Sequence, residues 1–141
     1  MTSAISGFGT LLNWDGVDLA ELTNISGPTE SMAAIDVSSH DSVDAYREFV
    51  AGLRDGGEIS IEGNLITTDA TGQIAMHTDF QAGELKAWII KAPGWIVSSH
   101  EYPQIDGNGF VTAFEPSFPM DDKMSFTATI KVSGKPTLTV S

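Results

Sequence analysis

Three histidines are the first residues to examine, because an imidazole can move a proton near neutral pH or hold a metal ion. Each has an acidic near neighbour: His40 precedes Asp41, His77 stands two before Asp79, and His100 precedes Glu101. A carboxylate beside a histidine can orient a general base, and several histidines together can bind zinc. Neither arrangement is completed here. No multi-histidine motif occurs, and adjacent residues on a strand point to opposite faces. These histidines are expected to be solvated or hydrogen-bonded. Asp106-Gly107-Asn108-Gly109 opens like a calcium loop, but Phe110 takes the fifth position and no Glu closes the twelfth, so a tight turn is expected. Asp121-Asp122 could share a proton, yet two carboxylates just before a strand read more simply as a solvated turn. Asn24-Ile25-Ser26 is a formal glycosylation sequon. It carries no weight, because Met1–Gly7 lacks the basic start and apolar stretch of a signal peptide. Nucleophile elbow, Walker and Gly-x-Gly-x-x-Gly sequences are absent. With 0 cysteines, disulfides, thiolate metal sites and cysteine nucleophiles are excluded together. The expectation is no catalytic residue, no metal site and no cofactor: this is not an enzyme.

The elements around these residues have a period of two, the signature of half-buried strands. Thr10, Leu12 and Trp14 alternate with Leu11 and Asn13. Asp15-Gly16 then turns the chain into Val17–Leu22, a strong hairpin signal, because both turn residues tolerate positive φ. A second turn, Arg54-Asp55-Gly56-Gly57, precedes a strand in which Ile59 and Ile61 point one way and Glu58, Ser60 and Glu62 the other. From Met124 to Val132 the residues Met124, Phe126, Ala128, Ile130 and Val132 share a face opposite Ser125, Thr127, Thr129 and Lys131. Phe110, Thr112, Phe114 and Phe118 form another face, which Pro116 and Pro119 confine to a sheet edge or bend. Strands are also expected at 86–91 and 95–102.

Residues 69–82 break this period. An Asp or Thr cap, Met76 and Phe80 at i and i+4 with Ile74 nearby, and Gly83 as terminator predict one amphipathic helix. Residues 25–57 are the least regular stretch, with Gly27-Pro28, the hydroxyl-rich Asp36–Ser42 and an apolar piece from Tyr46 to Leu53. A loop of this length in a compact domain is usually functional or orders on binding. A short helix packed on its own sheet is the plainer alternative for the apolar piece.

The chain of 141 residues is expected to form a single domain, 1–141, with this long irregular loop at about 25–57. Its apolar runs fall far short of the ~20 residues that span a bilayer, so no membrane is expected, and synthesis in the cytoplasm is. Nineteen acidic residues against seven basic ones give −12. Proteins that grip nucleic acid neutralise phosphates with Lys and Arg, so this chain is a poor holder of DNA. Solubility alone also accounts for such a balance. Charged residues make up 18%, below the ~25% of typical domains, while Ser and Thr are abundant. Such a surface suits extensive coverage by neighbours.

The ordered set Ile35-Asp36-Val37-Ser38-Ser39-His40-Asp41-Ser42, then Gly52-Leu53-Arg54-Asp55-Gly56-Gly57, then Glu58-Ile59-Ser60-Ile61-Glu62-Gly63-Asn64 resembles the major tail tube proteins of long, non-contractile-tailed phages. The likeness continues through Val111–Glu115 and Phe126–Pro136 and covers roughly residues 5–138. Ser38 stands where Thr is expected, a mild departure. The resemblance implies a mainly β fold, a β-sandwich or half-barrel of about eight strands with one flanking helix. It further implies sixfold rings with a shared inner β-barrel, stacked into the conduit for DNA ejection. Partners are then other copies of the chain, with tape-measure and tail-terminator or tip proteins. The location is the virion tail, after assembly in the host cytoplasm, and DNA passes without specific binding.

On that basis the lumen-facing candidates are Glu58, Ser60, Glu62, Ser125, Thr127 and Thr129. The inter-ring and inter-subunit candidates are Ser38, Ser39, His40, Asp41, Ser42, Tyr46, Phe49, Val50, Leu53 and Asp55. A carbohydrate-binding β-sandwich is one rival, since Trp88, Trp95 and Tyr102 could stack on sugars, although core packing explains them as well. The tube of a related secretion or injection system is another.

Overall fold

The computed structural model describes residues 8–66, 68–92 and 103–140. The expected strand at 95–102, with Trp95, His100 and Tyr102, lies outside them. Asp15 and Gly16 both take positive φ (53° and 85°), and β1 (Leu11–Trp14) folds onto β2 (Val17–Asp18) with Trp14 opposite Val17. The Asn13 carboxamide secures the turn by accepting the Gly16 N–H at 3.0 Å. The expected strand 17–22 is interrupted: Glu21 has φ 51°, and the chain resumes as β3 (Leu22–Ser26).

Next come β4 (Ser31–Asp36), β5 (Phe49–Asp55) and β6 (Glu58–Asn64). Helix α1 (Gln73–Ala82) follows, then β7 (Lys86–Lys91), β8 (Pro103–Ser117) and β9 (Ser125–Val140). Seven strands form one antiparallel sheet in the order β2-β1-β7-β8-β9-β6-β3, and β4 and β5 pair separately. The sheet curls into a half-barrel around α1, as expected of a mainly β fold with one helix. Leu12, Trp14, Ile59, Ile61, Trp88, Val111, Phe126, Ala128 and Ile130 line its inner face with Met76 of α1.

The inward residues of β6 and β9 are those the alternation named, except that Met124 is exposed and precedes β9. The phenylalanine face of β8 differs. The register shifts between Val111 and Ala113, so the inward pair is Val111, buried, and Phe114, partly buried, while Phe110 points out. A single extra residue reverses the parity of everything beyond it. Past Gly109, β8 has no partner on its β7 side among the described residues, so Pro116 does occupy a sheet edge.

The helix starts later than the expected 69–82, at Gln73, and ends as expected at Ala82 against Gly83 at φ 68°. Its buried stripe begins at Gln73, whereas Ile74 is exposed. Gly72 is the N-cap, and Asp69 serves the first turn by accepting the Gln73 N–H at 3.1 Å. Trp14 Nε1 donates to Asp79 at 2.9 Å and ties the helix to β1.

Residues 25–57 are more ordered than expected. They contain a β-hairpin, β4–β5, and the only helical turn there among the described residues is the short Val43–Ala45. Every residue of β4 is exposed. Strand alternation in a sequence records one buried face. This hairpin buries neither face within the chain, so it carries no alternation and reads as irregular. Gly57 marks the crossing from hairpin to sheet: φ is 77°, and a Cβ there would stand 2.1 Å from the Thr29 carbonyl oxygen. Only glycine fits.

Candidate assembly surfaces

The first surface is the outward face of β3, β6, β9 and β8. In register, Ser60 lies opposite Thr129 and Glu62 opposite Thr127, with Asn64 opposite Ser125. Their neighbours Ile59, Ile61, Ala128 and Ile130 are buried, so the polar members share the opposite face. All six lumen-facing candidates therefore meet on one surface: Glu58, Ser60, Glu62 and Thr127 are exposed, Ser125 and Thr129 partly so.

The structure adds residues the sequence did not reveal. Asn24 and Ser26 of β3 stand opposite Glu62 and Ser60, and Glu115 of β8 stands opposite Thr127. Strand pairing places Glu115 with Glu62 across the single strand β9, a neighbourhood that alternation along one strand cannot show. Ile25 between two polar residues was the available signal for β3. Lys131, opposite Glu58, is a cation of this face, and its Nζ lies 2.8 Å from Asp55 Oδ1. The hydrogen bond from Lys131, with a second from the Gly57 N–H, holds the Asp55 carboxyl below its ordinary range. Asp55 thus belongs to the root of the hairpin, where it is pinned to the sheet.

Among the described residues this four-stranded face ends in two open edges, the outer side of β3 and residues 110–117 of β8. Such edges invite pairing with another chain.

The second surface is the hairpin. Met32, Ile35, Phe49 and Val50 are about half exposed, and Val43, Tyr46 and Leu53 are 71%, 75% and 91% exposed. Its tip explains the hydroxyl-rich sequence. Ser38 N–H donates to Asp36 at 2.8 Å, and Ser38 Oγ accepts the Glu48 N–H at 2.7 Å. Ser42 Oγ accepts the Ser39 N–H at 3.0 Å and donates to Glu48 at 3.0 Å, while Ser39 Oγ accepts the Asp41 N–H. Short hydroxyl side chains take the place of ladder bonds here. The bonds from Ser38, side chain first, hold the Asp36 carboxyl below its ordinary range. His40 is exposed on this loop.

Among the described residues no three acidic or histidine side chains gather as a metal site, and no helix is long and apolar enough to cross a membrane. His77 packs against Phe114, with ring centroids 5.1 Å apart. Trp88 is wholly buried, so it is a core residue and offers no face to a sugar.

The fold is shared with solved tubes and their parts. It is similar to the tail of an empty gene transfer agent particle refined with C6 symmetry, at 22% identity over 96% of this chain and 99% of that chain, TM-score 0.76. It is similar to the tube-terminating cap of the anti-feeding prophage, at 14% identity over 100% and 94% of the two chains, TM-score 0.77. The SPP1 tail tube matches at 13% identity over 98% and 80%, TM-score 0.67. No curated protein matches the sequence. The family model described as "Lambda phage tail tube protein, TTP" matches residues 5–139, nearly the whole chain. The chain belongs to the lambda phage tail tube protein family, a family of structural virion proteins and not of enzymes.

Proposed function

We propose that six copies of this chain close into a ring by joining the β3 edge of one to the 110–117 edge of β8 in the next. Rings then stack into the tube through which DNA leaves the virion. The observation that carries the proposal is the four-stranded polar face bounded by two unpaired edges. Exposed edges aggregate unless capped, and a closed ring caps both of these. The neighbouring tail solved with C6 symmetry supports the sixfold count.

With the edges joined, the outward face becomes the wall of the bore. Six copies at −12 carry 6 × −12 = −72 formal charges. Salt screens most of these from the DNA, because the Debye length is about 8 Å at physiological ionic strength. The charges that matter are those on the wall: Glu58, Glu62 and Glu115, or 6 × 3 = 18 carboxylates. Of the nearby cations, Lys131 is neutralised by Asp55, while Lys123, in a hollow with Glu62, Ser125 and Thr127, offsets part of this charge. The wall repels phosphate, and hydroxyls from Ser60, Thr127 and Thr129 keep it wet, so DNA slides without adhering.

The β4–β5 hairpin, including the hydroxyl-rich tip and the apolar Tyr46, Phe49, Val50 and Leu53, is the contact arm between subunits and rings. Tape-measure protein inside the bore and terminator or tip proteins at its ends are the further partners. The tube-terminating cap with this same fold supports the latter. Negative-stain microscopy of concentrated protein tests the reading: rods or stacked rings with six subunits are expected, and a solution of monomers at every concentration would refute it.

A further inference from the structure

The hairpin has two chemically different ends. At its root, Ser31 and Met32 pair with Asp55 and Arg54, while at the far end Asp36 pairs with Phe49. Six residues of β4 separate them, about 17 Å at strand rise. Between the root and the β8–β9 extension lies a groove of about 1250 Å³. Met32, Leu53 and Pro136 give it apolar walls, and Arg54, Lys135 and Glu30 supply charge; Asp55, also at its wall, is occupied by Lys131. The chain holds seven Lys and Arg residues, and four of them, Arg47, Lys86, Lys91 and Lys131, are ion-paired. Arg54, Lys123 and Lys135 are not, among the described residues. Two of these three unpaired cations stand in this one groove.

The tip is its complement. Residues 36–48 hold Asp36, Asp41, Asp44 and Glu48 against Arg47 alone. Asp36 faces Arg47 and Glu48 accepts from Ser42, which leaves the Asp41 and Asp44 carboxylates free among the described residues. Beside them Val43 and Tyr46 are 71% and 75% exposed.

We infer that the groove at the root of one hairpin receives the hairpin tip of a second copy in the next ring. Asp41 and Asp44 meet Arg54 and Lys135, and Val43 and Tyr46 meet Met32, Leu53 and Pro136. The two patches differ and lie at opposite ends of one element. The contact is therefore heterologous, and repeating it along an axis builds an open filament and not a closed pair. In an acidic chain whose rings repel one another, this pairing also sets the direction of stacking. The inference rests on the tube reading and names the receptor for its contact arm.

The test uses two full-length variants, R54E/K135E and D41K/D44K, each checked for folding by thermal unfolding. Alone, each is expected to form rings but need at least about tenfold higher concentration for rods, a lower bound on the cost of losing both charge contacts at each interface. Mixed in equal amounts, they are expected to form rods at the wild-type concentration. The reversed groove of one accepts the reversed tip of the other, and the native groove and tip also meet. Rods from R54E/K135E alone at the wild-type concentration, or no recovery on mixing, would overturn the inference and leave the tube reading standing. Wild-type protein that makes neither rings nor rods would overturn both.

Discussion

Gln73 is uncharged and wholly buried, and it joins three parts of the chain. Its Oε1 accepts the Ile66 N–H at 2.9 Å, and its Nε2 donates to the carbonyls of Ala20 and Asn64 at 2.8 and 2.9 Å. Gln73→Leu leaves these backbone groups without partners in the interior, at about 1–3 kcal/mol for each group stranded. Urea unfolding of the monomer is expected to show a loss of about 3 kcal/mol or more, while the exposed Gln81→Leu stays within about 0.5 kcal/mol. Asp55 makes a second prediction at this scale. Its folded carboxyl lies below the ordinary value of 3.8, chiefly through Lys131. A depressed acid contributes its anchoring above the unfolded value and loses it as pH falls through the folded one. NMR titration of the Asp55 carboxyl is expected to give a midpoint below 3.8, and Lys131→Gln to move it back up toward that value.

Among the elements, the hairpin is the least self-sufficient. An isolated pair of strands is marginally stable in water, and this one exposes apolar side chains on both faces. It is held to the sheet by the Asp55–Lys131 pair, the turn at Gly57 and the Val132 N–H bond to the Gly57 carbonyl. Local opening is expected to be frequent until a neighbour covers it. Hydrogen exchange should therefore protect residues 38–57 strongly in the tube and weakly in the monomer. Equal protection in both states would show that the hairpin is no contact arm.

For the whole molecule, the wall charge is the property that assembly multiplies. Glu58→Lys with Glu62→Lys places 6 × 2 = 12 lysines around each ring, at positions whose side chains point away from the core. That number is enough for the ~6–10 phosphate contacts of an ordinary DNA-binding protein. Tubes are expected to form normally under the microscope, while DNA ejection from phage carrying the variant is impaired. Ejection at the wild-type rate would show that the bore's charge is not what keeps DNA moving.

Alternation along Glu58–Gly63 and Phe126–Val132, the Asp15-Gly16 turn and the Gly83 stop were legible because each is local. A side chain's preference for one face, or a backbone's need for positive φ, is decided within a few residues. So was the absence of catalytic motifs, and the ordered phrases from Ile35 to Pro136 already pointed to the tail tube family. The bulge at Thr112 was not legible, so Phe110 was expected to share a face with Phe114. Nor was the hairpin, which buries neither face within the chain and so has no buried face to pattern it. That Glu62, Thr127 and Glu115 form one rung, and that Arg54 and Lys135 share one groove, was settled only by tertiary pairing. The physical reason is that sequence periodicity records which side of a strand is buried, whereas which strands become neighbours depends on closing loops between distant segments.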